Sequence, residues 1–397
     1  MLESAGSRAG SPRKILISAG EASGDNYASM LVDALREEYP EVDFFGCAGP
    51  KMRRAGVRAI VRSESLAVVG LVEVIGHIPR IYGEYRRLLR AAEDEKPDLA
   101  ILTDSPDFHL RVARRLAAMN VPVVYFVAPQ VWAWRKDRLP LMRRVLRRLL
   151  CIFPFEEKFF TDHGVSATYI GHPLAGQIHP SMSREAFFAQ HGLDLTRPLV
   201  ALLPGSRKGE AARHLPYLVN AAQIIAAEYG AAFVLPASSN TGKDFFDSRI
   251  FGERNPAASI KVIEGQAWDA LAHADVALAA SGTVTVEAAL LGTPMVVFYR
   301  VTAASWLLGK MLVRIPFYCM VNLIAGHRVV PELIQSEMTP ARLAEETGRL
   351  LADPARRDEM RHDLQDVAAK LTMPGNAIRR AVEEIRNLEG VRVDSLA

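Results

Sequence analysis

Four short segments concentrate the residues whose types and spacing could do chemistry. In Thr103-Asp-Ser-Pro-Asp-Phe108, Asp104 stands just past an apolar run, where a carboxylate can serve as a general base; the alternative is a hydrogen bond that closes the loop. Asp107, after Pro106, is spaced to cap the following helix. In Leu203-Pro-Gly205-Ser206-Arg207-Lys208, small residues and two cations precede a helix. That is a setting for a pyrophosphate held bidentately by Arg207, or else a solvated basic turn. In Ala280-Ser281-Gly282-Thr283, small residues open a helix whose free N–H groups suit an anion, with Ser281 as a simple cap the bland alternative. Glu287 follows one turn later, where a carboxylate can take ribose hydroxyls. In Gly20-Glu21-Ala-Ser23-Gly24-Asp25, the glycines allow a ligand close to the backbone, or make a tight turn with Asp25 as a helix cap. The last pattern is not G-x-G-x-x-G, so a nicotinamide cofactor is not expected.

These segments need elements to hold them, and the chain supplies strands alternating with helices. Apolar runs predict strands at 14–19, 42–45, 99–102, 123–127, 151–153 and 168–170, with helical patterns at 25–38, 81–94 and 108–119. A second set begins at 199–203 and continues at 232–235, 260–263, 275–279 and 295–298; beyond residue 340 only helices are expected. This is the pattern of an α/β chain with two doubly wound, Rossmann-like domains, whose ligands sit outside the carboxyl ends of the strands, here in an inter-domain cleft. Gly171-His-Pro-Leu174 and the polar stretch to Pro198 read as the inter-domain connection.

Composition narrows the class. The chain has 397 residues, is 49% hydrophobic and carries a net charge of +3, too little to imply a nucleic-acid partner. Cys47, Cys151 and Cys319 are far apart, with no ligand or redox spacing, so reduced thiols and no zinc site are expected. Residues 1–12 read as a polar tail without the apolar core of a signal peptide, and no apolar run reaches a spanning length of about 18 residues. Any membrane contact is therefore expected to be peripheral. Three segments suggest one. The stretch 135–148 reads as a basic amphipathic helix after Trp132 and Trp134, fit for an anionic membrane surface or an ordinary crossover helix. Leu66–Gly76, with Val68, Val69, Leu71, Val72 and Ile75, is apolar enough to be either buried or an acyl-chain contact. Ala303–Val313 is a third such segment.

In order, Gly20-Glu-Ala-Ser-Gly-Asp25, Ala48-Gly-Pro-Lys-Met52, Asp104-Ser-Pro-Asp-Phe108, Pro129-Gln-Val-Trp-Ala-Trp-Arg135, Gly171-His-Pro173, Leu203-Pro-Gly-Ser-Arg207 and Ser281-Gly-Thr283 with Glu287 resemble lipid-A-disaccharide synthase. The resemblance runs from about Lys14 to about Leu388. It departs at Val321-Asn322-Leu-Ile-Ala-Gly-His327, where the family reads Pro-Asn-Leu-Leu-Ala-Gly-Arg and this chain has its arginine one place later, at 328. The resemblance implies an inverting, metal-independent hexosyltransferase of the GT-B type, with no cofactor. The donor would be UDP-2,3-diacylglucosamine and the acceptor 2,3-diacylglucosamine 1-phosphate (lipid X). The products would be a β-1′,6-linked disaccharide 1-phosphate and UDP, formed at the cytoplasmic face of the inner membrane of a Gram-negative-type bacterium. It implies importance for Asp104 and Arg207, substrate or UDP contacts from the other loop residues above and from Asn322, and a monomer or homodimer. The implied domains are a tail at 1–12, an acceptor- and lipid-side domain at 13–172, a UDP-sugar domain at 173–365, and C-terminal helices at 366–390 that pack back on the N-terminal domain. Two readings compete: another UDP-sugar enzyme of the same architecture, such as a UDP-N-acetylglucosamine 2-epimerase or a different glycosyltransferase, and a non-catalytic sugar-nucleotide or lipid-binding protein.

Overall fold

The computed structural model describes residues 12–66, 71–250, 259–313 and 315–389. It divides into two compact units, one holding the chain to Pro173 together with the segment from Met373, the other Leu174–Thr372.

The first unit carries β1 (Lys14–Ala19), β2 (Asp43–Ala48), β3 (Arg58–Arg62), β4 (Leu99–Thr103), β5 (Val123–Phe126), β6 (Arg148–Cys151) and β7 (Ala167–Tyr169) in one parallel sheet of order β3-β2-β1-β4-β5-β6-β7. Helices cover both faces of such a sheet, so its central strands are continuous apolar runs rather than alternating ones. Ile15, Leu16 and Ile17 of β1 and Ala100, Ile101 and Leu102 of β4 are all fully buried. The Ala377–Glu389 helix belongs to this unit; it packs on the Ala22–Glu38 helix, and Glu384 pairs with Arg148 at 3.3 Å.

The second unit repeats the plan with β8 (Leu199–Leu203), β9 (Ala232–Ala237), β10 (Ile260–Glu264), β11 (Val276–Ala280), β12 (Met295–Tyr299) and β13 (Glu332–Ile334), in the parallel order β10-β9-β8-β11-β12-β13. In each unit the chain first builds outward on one side of its opening strand and then returns to the other side. The switch points therefore fall between β1 and β4 and between β8 and β11. Ligands of open parallel sheets bind at such points, just beyond the carboxyl ends of the strands.

Several expectations need correction. Residues 174–198 are not a bare connection: they contain the Arg184–His191 helix and are fastened into the second unit by Ser181 to Asp269 and Arg184 to Asp275. The basic helix over 135–148 is absent. A short turn at Lys136–Arg138 leads to a seven-residue helix, Leu139–Val145, and Arg148 already opens β6. Its charges are also neutralised in part, Arg135 by Asp137 and Arg138 by Asp107, so no continuous basic face forms. Residues 1–11 of the expected tail, and Val68 and Val69 of the apolar patch, lie outside the described residues, while Pro12 is buried. Leu71, Val72 and Ile75 fall in the Leu71–Glu95 helix. Further along that helix Ile78 and Tyr82 are exposed, as is Leu307 in the Ala303–Leu312 helix. No described helix is long and apolar enough to cross a membrane.

Candidate active site

At the first switch point, β4 delivers Asp104 to the loop that follows β1. Its carboxylate accepts one hydrogen bond from the Gly20 N–H at 2.8 Å and another from the Glu21 N–H at 3.0 Å. This close approach explains the two glycines. A Cβ on Gly24 would stand 1.7 Å from Asp104 Oδ2, and one on Gly20 would stand 2.4 Å from Ser105 Oγ. Burial pushes the Asp104 carboxyl up to about 8, with the charge of Glu21 adding to the rise and the two N–H donors opposing it. The group is thus a far stronger base than an ordinary aspartate, which removes the objection that a carboxylate of normal pKa is too weak for the task.

The carbonyl of Asp104 is held from behind. Tyr125 Oη donates to it, and so does His109 Nδ1 at 2.9 Å. His109 Nε2 is then the acceptor for Ser18 Oγ at 2.7 Å. Burial lowers the His109 pKa to about 4, so the ring is neutral and these two contacts fix its tautomer. Asp107, expected as a cap, lies in the first turn instead: Ser105 is the N-cap, Pro106 is the first helical residue, and Asp107 pairs with Arg138. Asp25 is likewise not the cap of its own helix. Buried, it accepts from the N–H groups of Lys51 and Met52 and so caps the Pro50–Arg54 helix, tying Gly20–Asp25 to Ala48–Met52.

At the second switch point, Gly205 takes φ +115°, a conformation that favours glycine, and a Cβ there would meet Glu210 at 2.4 Å. Ser206 and Arg207 are exposed; Arg207 is the N-cap of the long Lys208–Tyr229 helix. His214 on that helix links the loop to its neighbour, donating from Nδ1 to the Pro204 carbonyl at 2.8 Å and accepting from the Arg300 N–H at 3.1 Å. Beside β8, β11 ends in Ser281, whose Oγ donates to the Tyr318 carbonyl at 2.8 Å. Gly282 and Thr283 are exposed at the start of the Thr283–Leu290 helix, presenting its first N–H groups. Glu287 is anchored by Trp268 Nε1 at 3.2 Å.

Sequence reasoning thus brings Gly20, Glu21, Ser23, Gly24 and Asp104 to one switch point and Gly205, Ser206, Arg207, Ser281, Gly282, Thr283 and Glu287 to the other. Asn322 lies apart from both groups. It is fully buried; its Oδ1 accepts from the Val329 and Val330 N–H groups, and its Nδ2 donates to the Val330 carbonyl and to Glu332. Every hydrogen-bonding position of its side chain is used inside the fold, so it clips a turn. Asn322→Ala is expected to cost about 3 kcal/mol in urea unfolding, since each buried donor stripped of its acceptor costs about 1–3 kcal/mol. An unchanged midpoint would refute the clip. Sequence reasoning also missed His109, Tyr125 and Trp268, single residues whose partners lie on other elements.

A pair of parallel-sheet α/β units, each with a loop constellation at its switch point, is the GT-B architecture of sugar-nucleotide enzymes. Solved structures agree on the fold. A UDP-GlcNAc 2-epimerase from Neisseria meningitidis, bound to UDP-GlcNAc, matches with a TM-score of 0.65 at 14% identity, covering 94% of this chain and 100% of that one. The calicheamicin glycosyltransferase CalG4 matches with a TM-score of 0.58 at 18% identity, covering 96% and 99%. The family model for lipid-A-disaccharide synthetase matches residues 15–384. A lipid-A-disaccharide synthase of Solibacter usitatus is 63% identical over 381 residues, 95% of this chain and 98% of that protein. The chain belongs to the lipid-A-disaccharide synthetase family and is a glycosyltransferase.

Proposed function

We propose that this enzyme joins UDP-2,3-diacylglucosamine to 2,3-diacylglucosamine 1-phosphate, making the lipid A disaccharide 1-phosphate and releasing UDP. The family match supports the reaction. The observation that carries the mechanism is the buried carboxyl of Asp104 at the end of β4, its pKa pushed up to about 8. In that mechanism the Asp104 carboxylate takes the proton of the acceptor 6-hydroxyl as that oxygen bonds to the donor's anomeric carbon. The bond from that carbon to the UDP oxygen breaks on the opposite face, so the configuration inverts. The electron pair leaves with UDP, and the charge gathering on its pyrophosphate is met by Arg207 and by the N–H groups of Gly282 and Thr283, the Ser281 N–H being spent on the Phe298 carbonyl. Glu287, fixed by Trp268, takes the ribose hydroxyls.

Both substrates carry acyl chains, so the reading includes a peripheral association with the inner-membrane surface; the exposed Ile78, Tyr82 and Leu307 are apolar side chains in keeping with it. The direct test is to incubate the protein with both substrates in detergent and analyse products by mass spectrometry. A tetra-acyl disaccharide 1-phosphate appearing with UDP is expected. A folded protein that binds UDP and gives no such product would overturn the substrate assignment.

Cationic side chains and helix N–H groups, rather than a metal, are assigned to the pyrophosphate. Among the described residues no group of three or more His, Cys, Asp or Glu side chains is arranged to hold a metal ion. With Arg207 and the helix N–H groups meeting the leaving group's charge, turnover is expected to be the same with and without EDTA. A strict divalent-cation requirement would remove the role given to Arg207.

A further inference from the structure

We propose that His109 and Tyr125 are positioning residues for the transfer: together they clamp the Asp104 carbonyl and hold the backbone turn that aims its carboxyl. The inference rests on the reading of Asp104 as the group that serves the acceptor hydroxyl. Asp104 and Ser105 have φ of +56° and +38°, two consecutive non-glycine residues in the left-handed region. Side chains other than glycine resist that conformation, and it persists where the surroundings over-determine it.

The surroundings here are specific. Tyr125 comes from β5, hydrogen-bonded alongside β4, and its ring is fully buried. His109 comes from the helix after Asp104, is also fully buried, and is braced by Ser18 on β1. A carbonyl oxygen has two lone pairs, and the two donors fill both. Two buried donors, one from β5 and one from the helix after β4 with Ser18 of β1 behind it, thus meet one peptide group whose next bonds carry the reacting carboxyl. Neither residue is placed to touch substrate, since each points its polar atom at the Asp104 main chain.

The two ring nitrogens allow a test that separates positioning from packing. In His109→Asn the amide nitrogen takes the place of Nδ1 and keeps the donor to Asp104, losing Ser18. In His109→Gln the amide takes the place of Nε2, keeping Ser18 and losing Asp104. With the substrates in detergent, His109→Gln and Tyr125→Phe are expected to lower kcat about 10–100-fold with KM for the acceptor nearly unchanged, while His109→Asn loses no more than about threefold. Thermal midpoints of the two His109 variants are expected to fall together, because each gives up one buried hydrogen bond. Equal losses of kcat in the two, or losses that follow the midpoints, would overturn the clamp. Tyr125→Phe leaves the ring in place and reads the same clamp if either His109 variant fails to fold. Asp104→Ala is assayed alongside. Near-normal turnover there would sink the reading of Asp104 itself; an inactive Asp104→Ala beside fully active His109→Gln and Tyr125→Phe would sink only the positioning role.

Discussion

Replacing Asp104 by alanine is expected to lower turnover by about 10²–10⁴-fold, the range supplied by a positioned acid–base group. The pH profile tests whether the working carboxyl is the raised one, since base and orienting group alike need the carboxylate. The carboxylate is the working form, and burial holds the carboxyl at about 8. The wild-type kcat/KM should therefore climb about tenfold per pH unit below 8 and level off above it, a limb missing from the variant's residual activity. A profile flat between pH 6 and 8 would mean an ordinary carboxyl, ionised throughout, and not one raised by burial. Loss of folding is not the expected cause. A carboxyl whose folded pKa is raised above its ordinary value of 3.8 adds stability that is fully present below that value and lost as pH rises through about 8. Between those limits the balance of stability shifts steadily toward the alanine variant. Thermal melts at pH 5 and pH 8 check this sign, and a shift in the opposite direction would show that Asp104 is not a strained, buried acid.

What the chain's letters disclosed follows from where the physics is local. Buried parallel strands are nearly continuous apolar runs, so β1 and β8 were legible to the residue: Lys14–Ala19 and Leu199–Leu203 have the expected bounds. The edge strand β3 was not, because Arg58-Ala-Ile-Val-Arg62 has only three apolar residues between two exposed arginines, too short a run to stand out from a loop. Nor was β13, three residues that begin with a glutamate. That glutamate is buried because Tyr318, Cys319 and Asn322 all donate to it, partners no local pattern reveals.

The site divides the same way. Asp104 and Arg207 could be singled out because each follows an apolar run at a loop, a pattern visible in a window of ten residues. The need for Gly20 and Gly24 was visible as a glycine preference, but its reason, the Asp104 carboxyl lying against both, joins positions about 80 apart. The basic helix failed for the converse reason. A periodic pattern of leucines and arginines over 135–148 fits a helix, yet Leu149, Leu150 and Cys151 must enter the sheet beside β5, and that pairing pulls Arg148 into a strand. The asparagine at 322 shows a further limit: the turn it closes, with Val329, Val330 and Glu332 as partners, was not legible from its neighbours in sequence.

Arg207→Ala is expected to lower kcat by about 10²–10³-fold, the cost of removing one well-placed electrostatic donor from a developing charge. The argument rests on position. Arg207 is exposed at the end of β8, on a loop that Gly205 bends, and it opens a 22-residue helix whose N-terminal N–H groups favour the same anion. It carries no core packing, so the fold should be unaffected, and the loss should fall on kcat more than on the thermal midpoint. Arg207→Lys separates charge from shape. A lysine keeps the charge but not the paired N–H donors, so it should recover part of the loss and no more. Inhibition by the product UDP should weaken in both variants, because UDP carries the pyrophosphate that the arginine meets. Lys208, exposed beside it, is the control. If Lys208→Ala falls as far as is expected for Arg207→Ala, and Arg207→Ala keeps normal kcat/KM, the pyrophosphate contact belongs to the next residue, and the helix start rather than the loop holds the leaving group.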